Sequence, residues 1–161
     1  MFKSLQDFLS NKLASLSSET DQNNEPSDAE LQLAAATLMF EVVRSDGKID
    51  DVELDTMATI LRKQFSLEED DIDTMLALAQ QTSDEAISLH SFTRDICQRW
   101  GNTQRMELLE NLWIIALADK KIDVHERHLV RKVASLLYLT EIQIVQSREN
   151  AKVALGIESL H

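Results

Sequence analysis

Two short stretches of the chain carry closely spaced carboxylates, and they resemble each other. The first is DGKIDDVE at residues 46–53, and the second is DKKIDVHE at residues 119–126, 73 positions later. Five of the eight positions are identical. The acidic side chains that recur are Asp46, Asp50 and Glu53 in the first copy and Asp119, Asp123 and Glu126 in the second. Hard cations such as Ca²⁺ and Mg²⁺ prefer clustered oxygen ligands, so the two loops would form one or two divalent-cation sites if they approach each other.

The same residues also have a purely structural interpretation. Asp50 and Asp123 each stand three positions before a Glu where a helical pattern starts. An N-cap Asp accepts a hydrogen bond from the first free amides of a helix, and a Glu at the third position can reach back to the cap amide. Asp46 and Asp119 would close Asx-turns at the ends of the preceding helices. One residue can serve as both cap and ligand, so both interpretations stay open.

The elements that must position these loops are helical. From residue 27 onward apolar residues recur at spacings of three and four, which predicts helices near 27–44, 50–65, 66–81, 87–100, 103–117, 123–138 and 140–154. Ser27 and Ser66, each three before a Glu, would open the first and third as capping boxes. Ile49 and Ile122 would anchor the loops in the core. With 3 Gly, 1 Pro and 5% aromatic residues, a sheet protein is disfavoured. We predict an all-α, single-domain bundle of about seven helices, built from two helix-loop-helix repeats with pseudo-twofold symmetry.

The N-terminus is predicted to be a separate piece. Residues 1–16 form an amphipathic helix, with Phe2, Leu5, Leu9, Leu13 and Leu16 on one face. Residues 17–26 are polar, end in Pro, and read as a flexible linker, so the helical domain covers 27–161. The amphipathic piece would dock on its own domain, on a second copy or partner, or peripherally on a membrane through residues 2–16. The sequence does not fix the oligomeric state.

Charge and composition exclude several classes of function. A net charge of −12 disfavours nucleic acid as a partner, because phosphate binding needs clustered basic residues. There is one cysteine, Cys97, and no secretory signal, and the longest apolar run, residues 112–118, is too short to span a bilayer. We therefore expect a cytoplasmic protein. No nucleophile, base and orienting group can be named together, and His125 and His128 lack the i, i+4 spacing of a zinc protease, so an enzyme is not expected.

The motif D-G-K-I-D-x-x-E after an apolar helix, with a degenerate second copy, resembles the TerB-like family of tellurite-resistance proteins, also found at the front of some membrane-anchored J-domain co-chaperones. The resemblance covers roughly residues 28–155. It implies a bundle of about seven helices, bacterial origin, no established enzymatic activity, and an acidic cluster for a divalent cation. Lys120 stands where the first copy has Gly47, which makes the second loop less acidic. The function expected is a stress-response or interaction module with a protein partner; the alternative is a dedicated Ca²⁺ or Mg²⁺ buffer or sensor.

Overall fold

The computed structural model describes residues 26–157, which form seven α-helices and contain no strand. The helices are α1 (Asp28–Val43), α2 (Asp51–Gln64), α3 (Glu69–Glu85), α4 (His90–Arg99), α5 (Asn102–Ala116), α6 (Val124–Leu136) and α7 (Glu141–Leu155). The all-α prediction is confirmed. The amphipathic piece 1–16 and residues 17–25 of the linker lie outside the described residues, so the domain division stays a prediction.

Helix α1 is the centre of the bundle and contacts α2, α3, α4, α5 and α6. Its sequence is apolar on almost every side, which is typical of a helix surrounded by others rather than lying on a surface. Leu38, Val42 and Val43 are completely buried, and Ala35 and Ala36 let neighbouring backbones approach closely. Helix α5 is the second central element, packing against α7 as well as α1, with Trp113 completely buried.

The helix starts follow the predicted caps with one exception. Ser27 caps α1 by accepting a hydrogen bond from the Glu30 amide at 3.2 Å. The capping box predicted at Ser66 is wrong: Glu68 is the N-cap of α3, and Ser66 has a left-handed backbone with φ of +53°. The Glu69 side chain pairs instead with Arg62 Nε at 2.7 Å. The turn between α2 and α3 therefore ends two residues later than the local pattern indicates.

The two isoleucines of the acidic loops differ in burial. Ile122 is half-buried against the core, in keeping with an anchor, whereas Ile49 is 50% exposed. The anchoring role predicted for Ile49 is therefore wrong. The pseudo-twofold relation between the two repeats stays a prediction, although their loops share the hydrogen-bonding pattern described below.

None of the helices within residues 26–157 combines the length and the apolar character that crossing a bilayer requires.

Candidate functional site

The two acidic loops have the same local geometry. In the α1–α2 loop the Lys48 amide donates to Asp46 Oδ1 at 3.0 Å. In the α5–α6 loop the Lys121 amide donates to Asp119 Oδ1, also at 3.0 Å. Both aspartates close the Asx-turns predicted from the sequence. Each loop thereby presents a carboxylate at its start, with one oxygen engaged by its own backbone.

The second aspartate of each loop is a helix N-cap. Asp50 Oδ1 accepts from the Val52 amide at 2.8 Å and the Glu53 amide at 3.4 Å. Asp123 Oδ1 accepts from the His125 amide at 2.7 Å. The capping interpretation of these two residues is confirmed. Because the described bonds use one oxygen of each carboxylate, capping does not exclude a second role for the other oxygen.

Glu53 and Glu126 bring the two loops together. Their side chains, one turn into α2 and α6, are only 2% and 3% exposed, and the two carboxyl groups lie near enough for Glu126 to raise the pKa of Glu53. The sequence left two roles open for both residues: the third-position member of a capping box in its own loop, and a ligand in a cation site formed where the loops approach. The structure brings the two residues together across the bundle, so the approach of the loops on which the cation hypothesis depends is observed at these two residues. Glu126 also accepts a hydrogen bond from the Asp123 backbone, as its capping box requires.

Burial dominates the electrostatics of this pair. It raises the pKa of Glu53 to about 10, and the hydrogen bond with Glu126 and its negative charge act in the same direction. Asp50 and Asp119 raise the Glu53 pKa further. Burial also raises the pKa of Glu126, although hydrogen bonds from Glu53 and from the Asp123 backbone oppose the increase. With its pKa raised to about 10, Glu53 is protonated at neutral pH, and its hydroxyl can donate a hydrogen bond to Glu126.

One oxygen of the pair is left without a partner. Glu126 Oε2 is buried and accepts no hydrogen bond within residues 26–157. A buried, unsatisfied carboxylate oxygen costs free energy, about 1–3 kcal/mol or more for a charged group. Lys48 and Lys121, the lysines that lie within the two loops, are exposed, and neither forms an ion pair with a carboxylate in the described part of the chain.

The six predicted carboxylates are only partly assembled. Glu53 and Glu126 are in contact, and Asp46, Asp50 and Asp119 lie near enough to raise the pKa of one or both. Asp123 joins the group through its backbone, which hydrogen-bonds Glu126. Within residues 26–157 no three His, Cys, Asp or Glu side chains are close enough to form a metal cluster. The arrangement keeps a proton on Glu53 at neutral pH, and its all-oxygen donor set has the chemistry that suits a hard cation.

Apolar side chains next to the loops were missed by the sequence reasoning. Val52, directly before Glu53, is 49% exposed, and Val124, two positions before Glu126, is 54% exposed. Ile49 is 50% exposed. The α1–α2 loop and the first turns of α2 and α6 therefore present three half-exposed β-branched residues beside the acidic groups. Periodicity could not reveal them, because an apolar residue at a helix start is equally consistent with burial.

Comparisons with known proteins support the family assignment. The family model described as Tellurite resistance protein TerB matches residues 32–149, well over half of the chain. A crystal structure of a protein of unknown function from Porphyromonas gingivalis W83 is similar in fold, with a TM-score of 0.59 and 22% sequence identity. The similarity covers 79% of this chain and 97% of that one. No functionally curated protein matches the sequence.

Proposed function

Since the chain belongs to the TerB family of tellurite resistance proteins, we propose that it is a non-enzymatic interaction module of a stress response whose paired acidic loops bind a divalent cation. The observation that supports cation binding most directly is the buried Glu53–Glu126 pair, in which Glu126 Oε2 has no partner among the described residues. A cation such as Ca²⁺ or Mg²⁺ would supply the positive charge that these carboxylates lack.

The residues that would hold the cation are Glu53 and Glu126 from the two helix starts, together with the loop aspartates Asp46, Asp50, Asp119 and Asp123. All offer oxygen, as Ca²⁺ and Mg²⁺ require. The Asx-turns and N-caps fix the direction of the aspartates, because each uses one oxygen for a backbone amide. Binding would displace the proton that Glu53 holds at neutral pH, so the ion and the proton compete for this pair.

The partner surface in this proposal is the loop face itself. Ile49, Val52 and Val124 are half-exposed beside the acidic groups, and the chain as a whole carries a net charge of −12. A surface that is both apolar and acidic fits a partner segment with apolar side chains flanked by Lys or Arg. The same loops would thus carry cation binding and partner binding, which gives the cation a structural role at the interaction surface.

Thermal melting with and without ion tests cation binding. At millimolar Ca²⁺ or Mg²⁺ and constant ionic strength, we expect the melting temperature to rise by about 5–10 °C, as for a ligand near 100 times its dissociation constant. The rise should be smaller in Asp46→Asn and Glu53→Gln. Asp55→Asn is the matched control, because Asp55 is an exposed acid of α2 outside the loop, and it should keep the full response.

An equal response in Asp46→Asn, Glu53→Gln and Asp55→Asn would place the ion elsewhere, and no response in the wild type would remove cation binding from the proposal.

Partner capture in Ca²⁺, Mg²⁺ and chelator separates an interaction module from a cation sensor. An interaction module captures the same partner whenever the loop face is intact and loses it in Ile49→Ser/Val52→Ser. A sensor captures it only in the presence of ion.

A further inference from the structure

A groove lies between α1, the end of α2, the α4–α5 connection and α5. Its volume is about 240 Å³. Leu31, Met39 and Leu108 form a buried apolar floor, and half-buried Phe65 and Trp100 stand at its sides. A dry cavity of about 150 Å³ already admits a benzene molecule. The groove is therefore large enough to take an apolar side chain of leucine or phenylalanine size.

The chain enters the helical domain at the rim of this groove. Asp28, the first residue of α1, lines it. Arg99 fixes this entry point: its Nη1 donates to the Pro26 carbonyl, and its Nη2 donates to Asp28 Oδ1 at 2.9 Å. The next residue along, Trp100, forms one side of the groove. The segment before Pro26 therefore joins the helical domain next to the groove.

The preceding segment is apolar on one face and basic in an acidic chain. In residues 1–16, Phe2, Leu5, Leu9, Leu13 and Leu16 recur at spacings of three and four. Lys3 and Lys12 outnumber the single acid, Asp7, whereas the whole chain has a net charge of −12. At the groove rim, Asp28 is already paired with Arg99, whereas Glu107 forms no ion pair within residues 26–157. The apolar pattern of the segment therefore complements the floor of the groove, and its lysines complement Glu107.

We propose that residues 1–16 dock in this groove of their own chain as an amphipathic helix, with leucines of the apolar face between Phe65 and Trp100. Helix-in-groove binding of this kind uses anchors spaced at i, i+3 or i+4, and i+7. The linker is long enough, because ten residues can span up to roughly 33–36 Å. A tether this short holds the segment at an effective concentration of order millimolar, so weak contacts suffice.

A spin label on the full chain tests the docking. A nitroxide is placed at Ser10→Cys, which lies off the apolar face, in a Cys97→Ala background that removes the native thiol. We expect the Trp100 indole signal and the Phe65 and Gln104 amides to lose most of their intensity. The Gly47 amide should keep its intensity, because Gly47 follows the far end of α1, a helix of 16 residues and about 24 Å.

Two charge-matched double variants separate the docked face from the polar face. Leu9→Asp/Leu13→Asp should abolish the intensity loss at the groove, whereas Ser4→Asp/Asn11→Asp, on the opposite face, should retain it. A mixture of two kinds of chain shows whether the segment in the groove comes from the same chain: one kind carries the nitroxide, and the other carries the isotope label but no nitroxide. Loss of intensity in the mixture would assign the groove to a second copy and overturn the intramolecular proposal. Uniform or absent intensity loss in the single chain would also overturn it.

Discussion

Gly47 and Lys120 occupy equivalent positions in the two acidic loops, and both have a left-handed backbone, with φ of +85° and +64°. Each amide donates to the carbonyl three residues before it, at 3.0 Å for Gly47 and 2.8 Å for Lys120. Both loops therefore need the same turn, but only the first has the residue that adopts it without a steric cost. The substitution that reduces the acidity of the second loop also strains its backbone.

Replacing Lys120 by Gly should stabilise the protein, and Lys120→Ala is the control. Both variants remove the positive charge, but only Gly adopts the positive φ without a steric cost. We expect Lys120→Gly to exceed Lys120→Ala in free energy of unfolding by about 1 kcal/mol, a typical cost of the left-handed conformation for an L-residue. Urea denaturation of both variants measures this difference, and equal stabilities would mean that the loop relaxes at no cost.

The Glu53–Glu126 pair predicts that stability falls as pH rises. The pKa of Glu53 is about 10 in the folded protein against an ordinary value of 4.5, so the folded state binds more protons than the unfolded chain between these limits. The contribution of Glu53 to the free energy of unfolding should therefore be largest at and below about pH 4.5. It should decrease above that pH by at most about 1.4 kcal/mol per pH unit and level off near pH 10.

Glu53→Gln tests this assignment, because the amide can donate to Glu126 at every pH without titrating. Urea denaturation at pH 5, 7 and 9 should show a shallower decrease in the variant than in the wild type, with the variant more stable at pH 9. Glu85→Gln, an exposed acid at the end of α3, should keep the wild-type slope. A wild-type slope in Glu53→Gln would show that the proton is held elsewhere.

Cation stabilisation should grow with pH. The ion requires deprotonated carboxylates, so below about pH 10 it competes with the proton that Glu53 holds. We expect the rise in melting temperature at a fixed millimolar concentration of Mg²⁺ or Ca²⁺ to be larger at pH 8.5 than at pH 6. Asp119→Asn should reduce it less than Asp46→Asn, because Lys120 offsets the charge of the second loop. A rise independent of pH would exclude the glutamate pair as ligands.

Asp50 offers a way to separate capping from cation binding. Asp50→Ala removes the acceptor for two amides of α2 and should cost about 1 kcal/mol in free energy of unfolding, whereas Asp50→Ser keeps a capping oxygen and should cost much less. If Asp50 is a ligand, both variants lose part of the ion-dependent rise in melting temperature. If Asp50→Ala lowers the free energy of unfolding, and both variants keep the full ion-dependent rise in melting temperature, Asp50 is a cap and not a ligand.

The sequence alone determined the helices, most of their ends, and the repeated loops. These features are local: the spacing of three and four marks an apolar helix face, and a cap lies within three residues of the amide it serves. Asp46, Asp50, Asp119 and Asp123 therefore have the turns and caps that their positions predicted. Ser66 was the exception: its backbone is left-handed, with φ of +53°, whereas an N-cap residue has an extended backbone, and Glu68 is the N-cap instead.

Only the tertiary structure determined that the two glutamates are buried in contact with each other, and where the groove lies. Glu53 and Glu126 are 73 positions apart, so the sequence could propose a joint site only on the condition that the two loops approach each other. Packing removes both carboxyl groups from water and raises the pKa of each, which favours a proton on Glu53 over two separate charges. The groove draws its lining from helices far apart in the chain. No local pattern encodes such a surface, because it depends on which sides of the helices the bundle leaves uncovered.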